Sequence, residues 1–284
     1  MTVQQIIAEA LKEDIGHGDH SSLLAVGADE KGEAQLIAKE NGIIAGIVIG
    51  TQVFKHVNKN LTVEPLMQDG TAVQNGDVVM RVKGEIRAIL AAERLVLNFM
   101  QRMSGIATVT NRYCKLLEGT HARLLDTRKT TPNLRLLEKM AVRIGGGFNH
   151  RMGLYDMIML KDNHIDFAGG IENAIKKTHE YKTLHHLVIP VEIETRSLSE
   201  VEKVVQLGGV DRIMFDNFSV EDVRKGVELV NGSFETEASG NINEQTIRAY
   251  AETGVDFISA GALTHSVKSL DISLLAVKIN SNIS

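Results

Sequence analysis

Six short apolar runs in the second half of the chain, each followed by a loop and a helical segment, constrain its fold more than any other feature. The runs are ARLLD, MIML, VIPVEI, RIMF, FETEA and FISA, with strand ends marked by Asp126, Leu160, Glu194, Asp216, Ala238 and Ala260, which lie 34, 34, 22, 22 and 22 residues apart. Such spacing suits βα units, because parallel strands need a crossover that a tight turn cannot supply. The even late intervals favour a barrel over a doubly wound sheet. Residues able to do chemistry stand directly after these runs: Thr127-Arg128-Lys129, Lys161-Asp162-Asn163-His164, Glu194, Asp216-Asn217, Ser239-Gly240-Asn241 and Ser259-Ala260-Gly261. In a (β/α) barrel those positions gather on one rim, where active sites are built.

The first part of the chain is organised differently. Val3, Ile6, Ile7, Ala10 and Leu11 recur at helical spacing behind Thr2 and Gln5, which stand in capping-box register. The runs EAQLIAKE, LTVEPL and DVVMRVKG follow, punctuated by Asn41-Gly42, Asp69-Gly70 and Asn75-Gly76, so a small α+β layer is expected. From Ile86 to Glu118 the pattern is helical, with a break expected near Ser104-Gly105, and this stretch reads as a connector between domains.

Length and composition allow one large core with a satellite: 284 residues, 43% hydrophobic. The most apolar stretch, AILAAERLVLNFM, is interrupted by Glu93 and Arg94, so no membrane span is expected. The first residues lack a basic region followed by an apolar run, which argues against a secretory signal and for a cytoplasmic protein. The single cysteine, Cys114, excludes an internal disulfide and a cysteine metal site.

Charge is unevenly placed. From Arg102 to Lys161 there are eleven Lys/Arg against four Asp/Glu, a segment of +7 in a chain of −5, leaving −12 elsewhere. An anionic ligand is implied. Only Tyr113, Phe148 and Tyr155 are aromatic there, too few for base stacking, so a small polyanion fits better than nucleic acid. The mixture of Arg102, Arg128, Lys129, Arg151 and Lys161 points to two kinds of anion, since arginine grips planar anions bidentately and lysine acts as a point charge. By contrast Arg135, Lys139 and Arg143, on a helical repeat, are expected at the surface. Glu194 and Asp216 can bind ribose hydroxyls, directly or through Mg²⁺. The paired loops at Ser239 and Ser259 fit a phosphate site after the last barrel strands. His150, after Gly145-Gly146-Gly147, is read either as a donor to a substrate carboxylate or as a loop cap, and His164 as structural. No zinc motif or nucleophile elbow is present, which disfavours zinc and covalent catalysis.

The runs Asp126-Thr127-Arg128-Lys129-Thr130-Thr131-Pro132, Gly145-Gly146-Gly147-Phe148-Asn149-His150-Arg151 and Leu160-Lys161-Asp162-Asn163-His164 closely resemble those of the quinolinate phosphoribosyltransferases. The resemblance extends through Glu13 to Asp19, Glu93-Arg94 to Gly105, Val191-Glu192-Ile193-Glu194, Phe215-Asp216-Asn217-Phe218 and both phosphate loops. It implies an α/β fold: an incomplete, open-faced (β/α) barrel over 113–267, joined to an N-terminal α/β sandwich over 1–112 to which 268–284 returns. It also implies transfer of a phosphoribosyl group from phosphoribosyl diphosphate to quinolinate with loss of CO₂. The product is nicotinate mononucleotide, a step of NAD biosynthesis, and Mg²⁺ accompanies the diphosphate. By the same resemblance Thr127, Arg128, Lys129, His150 and Arg151 bind substrate, the last four at the quinolinate carboxylates. Lys161, Glu194, Asp216, Ser239, Gly240, Asn241, Ser259, Ala260 and Gly261 bind phosphoribosyl diphosphate. Lys129, Lys161, Glu194 and Asp216 carry the chemistry, with Glu194 and Asp216 as the Mg²⁺ ligands. The resemblance further implies a homodimer or a higher assembly of dimers with shared sites, Arg102 matching the position that serves the partner. Asn133 departs from the family's usual glycine, but asparagine tolerates the left-handed conformation such a loop requires.

Overall fold

The computed structural model describes residues 1–277, and 278–284 of the segment expected to return to the first domain lie outside them. Two compact units divide the described residues: Met1–Asn111, Thr130–Gly146 and 264–277 form one, and Arg112–Lys129 with Gly147–Leu263 form the other. The segment 130–146 thus belongs with the first unit, whereas the sequence reading assigns it to the barrel. Its helix Arg135–Ile144 buries Leu137, Glu138, Lys139, Ala141 and Val142. Lys139, expected at the surface, is 1% exposed.

In the first unit the helix Val3–Ile15 opens with the expected capping box, Thr2 and Gln5 each receiving the other's backbone N–H. Strands β1 (Lys31–Ala38), β2 (Gly42–Ile43), β3 (Thr62–Pro65), β4 (Ala72–Val73) and β5 (Val78–Glu85) follow, and β12 (Ile272–Ala276) returns late in the chain. They form a four-stranded antiparallel sheet in the order β12-β1-β5-β3 and a small β2-β4 ladder. Alternation along β1 buries Ala34, Leu36 and Ala38, with Ala34 opposite Val82 and Leu36 opposite Met80. Helix Ile86–Leu116 is one unbroken α-helix of 31 residues; the break expected at Ser104-Gly105 does not occur. Ser104 spends its hydroxyl on the backbone of Ala45, and Gly105 lies where a Cβ would strike the Lys268 carbonyl, so close packing, not a kink, accounts for both.

In the second unit β6 (Arg123–Leu125), β7 (Ile158–Leu160), β8 (Val191–Thr195), β9 (Arg212–Asp216), β10 (Glu235–Ser239) and β11 (Phe257–Ser259) form one parallel sheet ordered β6-β11-β10-β9-β8-β7. Each strand ends within one residue of the end read from sequence. Strands β6 and β7 sit at opposite ends of the ladder without pairing to each other, which makes this an incomplete, barrel-like α/β sheet. The face carrying Ile193, Ile213, Phe215, Ala238 and Ile258 is buried, and helix Val220–Val230 lays Gly226 against the Phe215 ring.

Candidate active site

Register alone decides which side chains share the other face. Glu194 stands beside Met214, Ser239 beside Asp216, and Met159 beside Glu192. Because side chains alternate and paired residues share a face, Lys161, Glu194, Asp216, Ser239 and Ser259 all rise at the carboxyl end of the sheet on its inner side. The contacts agree: Lys161 Nζ pairs with Glu194 Oε1, and Ser259 Oγ lies 3.0 Å from Ser239 Oγ. The rim anticipated from sequence exists within this unit.

Local chemistry fixes each loop. After β9, Asn217 takes φ 56°, its amide donating to Asp216 Oδ2 at 3.0 Å while its backbone N–H donates to the Ser239 carbonyl at 2.8 Å. Gly240, at φ 100°, packs so tightly on Asn217 that a Cβ would overlap the Asn217 amide, and Asn241 follows at φ 52°. The Ser239-Gly240-Asn241 turn is therefore held by the adjacent strand end. After β11, the Ala260 N–H donates to the Leu125 carbonyl at 3.1 Å, and the helix beyond, Ala262–His265, is a single turn. Neither loop opens a long helix, so the N–H groups they present are the loops' own. Thr127 Oγ1 accepts the Lys129 N–H at 3.0 Å, ordering the Thr127-Arg128-Lys129 turn after β6. His164 Nδ1 accepts the Lys161 N–H at 3.0 Å, the structural part expected of it.

Asn149, His150 and Arg151 sit on a segment that adds itself to the sheet edge. The Phe148 N–H donates to the Leu124 carbonyl at 2.8 Å, and Asp126, fully buried, accepts the His150 N–H at 2.8 Å and the Asn149 amide at 2.5 Å. Arg151 is buried beside Arg128. Burial and that second guanidinium both oppose its charge, and they outweigh the acidic groups around it to lower its pKa.

His150 is not free to do what the sequence allows it. Its Nδ1 accepts the Arg151 N–H at 2.7 Å, and its Nε2 lies 2.9 Å from Glu192 Oε2 and 3.4 Å from Glu237 Oε2. Both ring nitrogens thus face groups of the protein itself, which gives His150 a part in holding the loop. Burial opposes charge on the ring, but the two glutamates outweigh it and push its pKa up to about 9. Glu192 is pushed up to about 7 by burial and by Glu237, while Glu237, despite its burial, is held down by His150 and Arg212. Arg212 Nη1 reaches Glu237 Oε2 at 2.9 Å and Glu192 Oε2 at 4.0 Å, and its guanidinium stacks 3.9 Å from the Phe257 ring. His150, Glu192 and Glu237 could in principle hold a metal ion, but this guanidinium already supplies their positive charge. Glu192, Glu237 and Arg212 were missed by the sequence reading; the alternating Glu192/Glu194 and Glu235/Glu237 pairs were the available signal.

Arg102 belongs to the first unit, apart from the other candidates. Its Nε and Nη2 donate to Glu138 Oε1 at 3.1 and 2.8 Å, and Nη2 donates to the Thr264 carbonyl at 2.6 Å. The +7 segment divides likewise: Arg102, Arg135, Lys139 and Arg143 lie in the first unit, so the rim's cations are Arg128, Lys129, Arg151 and Lys161.

Residues 19–104 match the model of the quinolinate phosphoribosyl transferase N-terminal domain, and residues 106–275 that of the C-terminal domain. The chain is 49% identical to the chloroplastic carboxylating nicotinate-nucleotide pyrophosphorylase of Oryza sativa subsp. japonica, over 96% of this chain and 77% of the relative. It superposes on the nicotinate-nucleotide pyrophosphorylase of Francisella tularensis with a TM-score of 0.91 at 41% identity, covering 97% and 96% of the two chains. The NadC protein of Streptococcus pyogenes superposes as well, with a TM-score of 0.91 at 40% identity over 97% of each chain. Two family models that together span nearly the whole chain, and relatives this similar in sequence and fold, place the protein in the quinolinate phosphoribosyl transferase family.

Proposed function

We propose that the protein transfers the phosphoribosyl group of phosphoribosyl diphosphate to the ring nitrogen of quinolinate, releasing diphosphate and CO₂ and leaving nicotinate mononucleotide for NAD synthesis. The observation that carries this reading is the register placing Lys161, Glu194, Asp216, Ser239 and Ser259 on one face at one end of the sheet, with Arg128 and Arg151 in the same unit. A diacid and a sugar diphosphate repel each other, and cations are needed to bring them together in line. Arg128 and Arg151 take the carboxylates, with the firmer bidentate hold on the 3-carboxylate that remains in the product. An equal hold on the carboxylate that leaves would stabilise ground and transition states alike and give no acceleration. Lys129 and Lys161 face charge developing on the departing diphosphate, Glu194 and Asp216 the positive charge on the sugar, and the loops at Gly240-Asn241 and Ala260-Gly261 offer N–H groups to phosphate.

The carboxylates of Glu194 and Asp216, on neighbouring strands of one face, are a hard-oxygen donor set that fits Mg²⁺. Held there with the substrate's phosphate oxygens, the ion would neutralise charge on the leaving group. Glu194 already pairs with Lys161, so Asp216 is the readier of the two ligands. Arg102 is proposed to serve a second copy of the chain in a homodimer, which light scattering checks. A cytoplasmic location is proposed as well, resting on the lone Cys114; among the described residues no helix is long and apolar enough to cross a membrane.

The test is release of labelled CO₂ from carboxyl-labelled quinolinate, with phosphoribosyl diphosphate present or omitted and with or without Mg²⁺. Release that needs both substrates and the metal is expected. Turnover of nicotinate without CO₂ would replace the proposed acceptor.

A further inference from the structure

The acid-binding segment lies at the open side of the incomplete barrel, and a network of polar groups ties it there. Phe148 to His150 are tied to the β6 edge through Leu124 and Asp126. From that edge the His150 side chain reaches across to carboxylates of two strands elsewhere in the ladder, Glu192 of β8 and Glu237 of β10. Arg212 of β9, the strand between those two, closes the group from its other side. Glu192 and Glu237 are each 0% exposed. Buried charges of this kind contribute little net stability, so an arrangement that joins the open edge to the strands beyond it calls for another reason.

The reason is given by what the group touches next. His150 Nδ1 fixes the Arg151 N–H at 2.7 Å, and from the same backbone Arg151 turns its guanidinium to the Met157 carbonyl at 3.2 Å, beside Arg128. Glu237 has a further neighbour, Ser259, whose hydroxyl also lies 3.0 Å from Ser239. Glu192 therefore touches the arginine side alone, and Glu237 touches both the arginine side and a phosphate loop.

We propose that Glu192, Glu237 and Arg212 form a positioning device that grips the His150 ring and so sets the place of the Arg151 guanidinium for one carboxylate of a diacid. The inference rests on the proposed function only in naming that diacid quinolinate. Substrate does not touch the three residues; they act through His150 and the Arg151 backbone, and Glu237 acts through Ser259 as well.

The test compares Glu192→Leu, Glu192→Gln and Glu237→Gln by steady-state kinetics in both substrates and by calorimetric titration with quinolinate alone. Glu192→Leu removes the carboxylate that pairs with Nε2 and should raise the quinolinate KM and Kd about tenfold, leaving the KM for phosphoribosyl diphosphate within about twofold. Glu192→Gln keeps an acceptor oxygen at the same reach and should restore both constants to within about threefold of wild type. Glu237→Gln should shift the constants of both substrates. A merely structural role would lower the active fraction and the melting temperature while leaving KM and Kd where they were, or would move both substrates in step for Glu192→Leu; either result overturns the proposal. If Glu192→Leu does not fold, the contrast between Glu192→Gln and Glu237→Gln decides: near-wild-type constants for Glu192→Gln with a shift in both substrates for Glu237→Gln support the proposal, and the same shifts from both variants refute it. Should wild type bind quinolinate without turning it over, the functional reading fails while the calorimetric arm still judges the positioning device. Wild type that does not bind quinolinate refutes both.

Discussion

The two larger sheets of this molecule bury opposite kinds of surface. In the antiparallel sheet the covered face of β1 and β5 is Ala34, Leu36, Met80 and Val82, apolar throughout. In the parallel sheet the face carrying Ile213 and Phe215 is apolar, whereas the inner face buries Glu192 and Glu237, with Arg212 beside them, among Met159 and Met214. An apolar side chain gains by leaving water whatever lies opposite, whereas a buried charge must be matched at close range merely to break even. The first sheet stabilises; the second positions.

Replacing a rim cation should therefore damage turnover and spare the fold. Lys161→Ala is expected to lower kcat/KM about a thousandfold, roughly 4 kcal/mol of transition-state stabilisation, with little change in the urea midpoint. Initial rates and urea unfolding on the same preparation check both halves. A large fall in stability would break the division between the sheets, for it would make the Lys161–Glu194 pair part of the scaffold. In the antiparallel sheet the signs reverse: Leu36→Ala should remove about 3 kcal/mol of unfolding free energy and leave both KM values alone.

How much of this was legible in the sequence follows the same division. The period-2 pattern of EAQLIAKE and the Thr2/Gln5 box report on neighbours in the chain, and both elements appear where they were read. The six strand ends were also legible, because each carries a turn or a charge that only a rim would place there. The interior network was not: Glu192 and Glu237 lie 45 residues apart in the chain, and only the β8-β9-β10 order, with His150 entering from the β6 edge, makes them partners. Lys139 misled for a related reason. A helical repeat gives the side on which a residue lies, and the first unit covers that side of the helix. The unbroken helix through Ser104-Gly105 teaches likewise that a glycine in a helix can mark a close approach, here by Lys268, as well as a kink.

The smallest effect sharpens the comparison most, because it separates two sides of one buried group. Ser259 is buried, and its hydroxyl meets both Glu237 and Ser239. Ser259→Ala removes a single neutral donor from a site with other partners, so about 1 kcal/mol is the most it should change. If Ser259 aligns the phosphate loop, that loss appears as a rise of about threefold in the KM for phosphoribosyl diphosphate, with the quinolinate KM unmoved. If the hydroxyl instead steadies Glu237 as a partner of His150, the quinolinate KM moves and the other does not. The loop reading is the one the geometry favours: the 3.0 Å contact joins two adjacent strand ends at the rim, while Glu237 is already held by Arg212 at 2.9 Å without it.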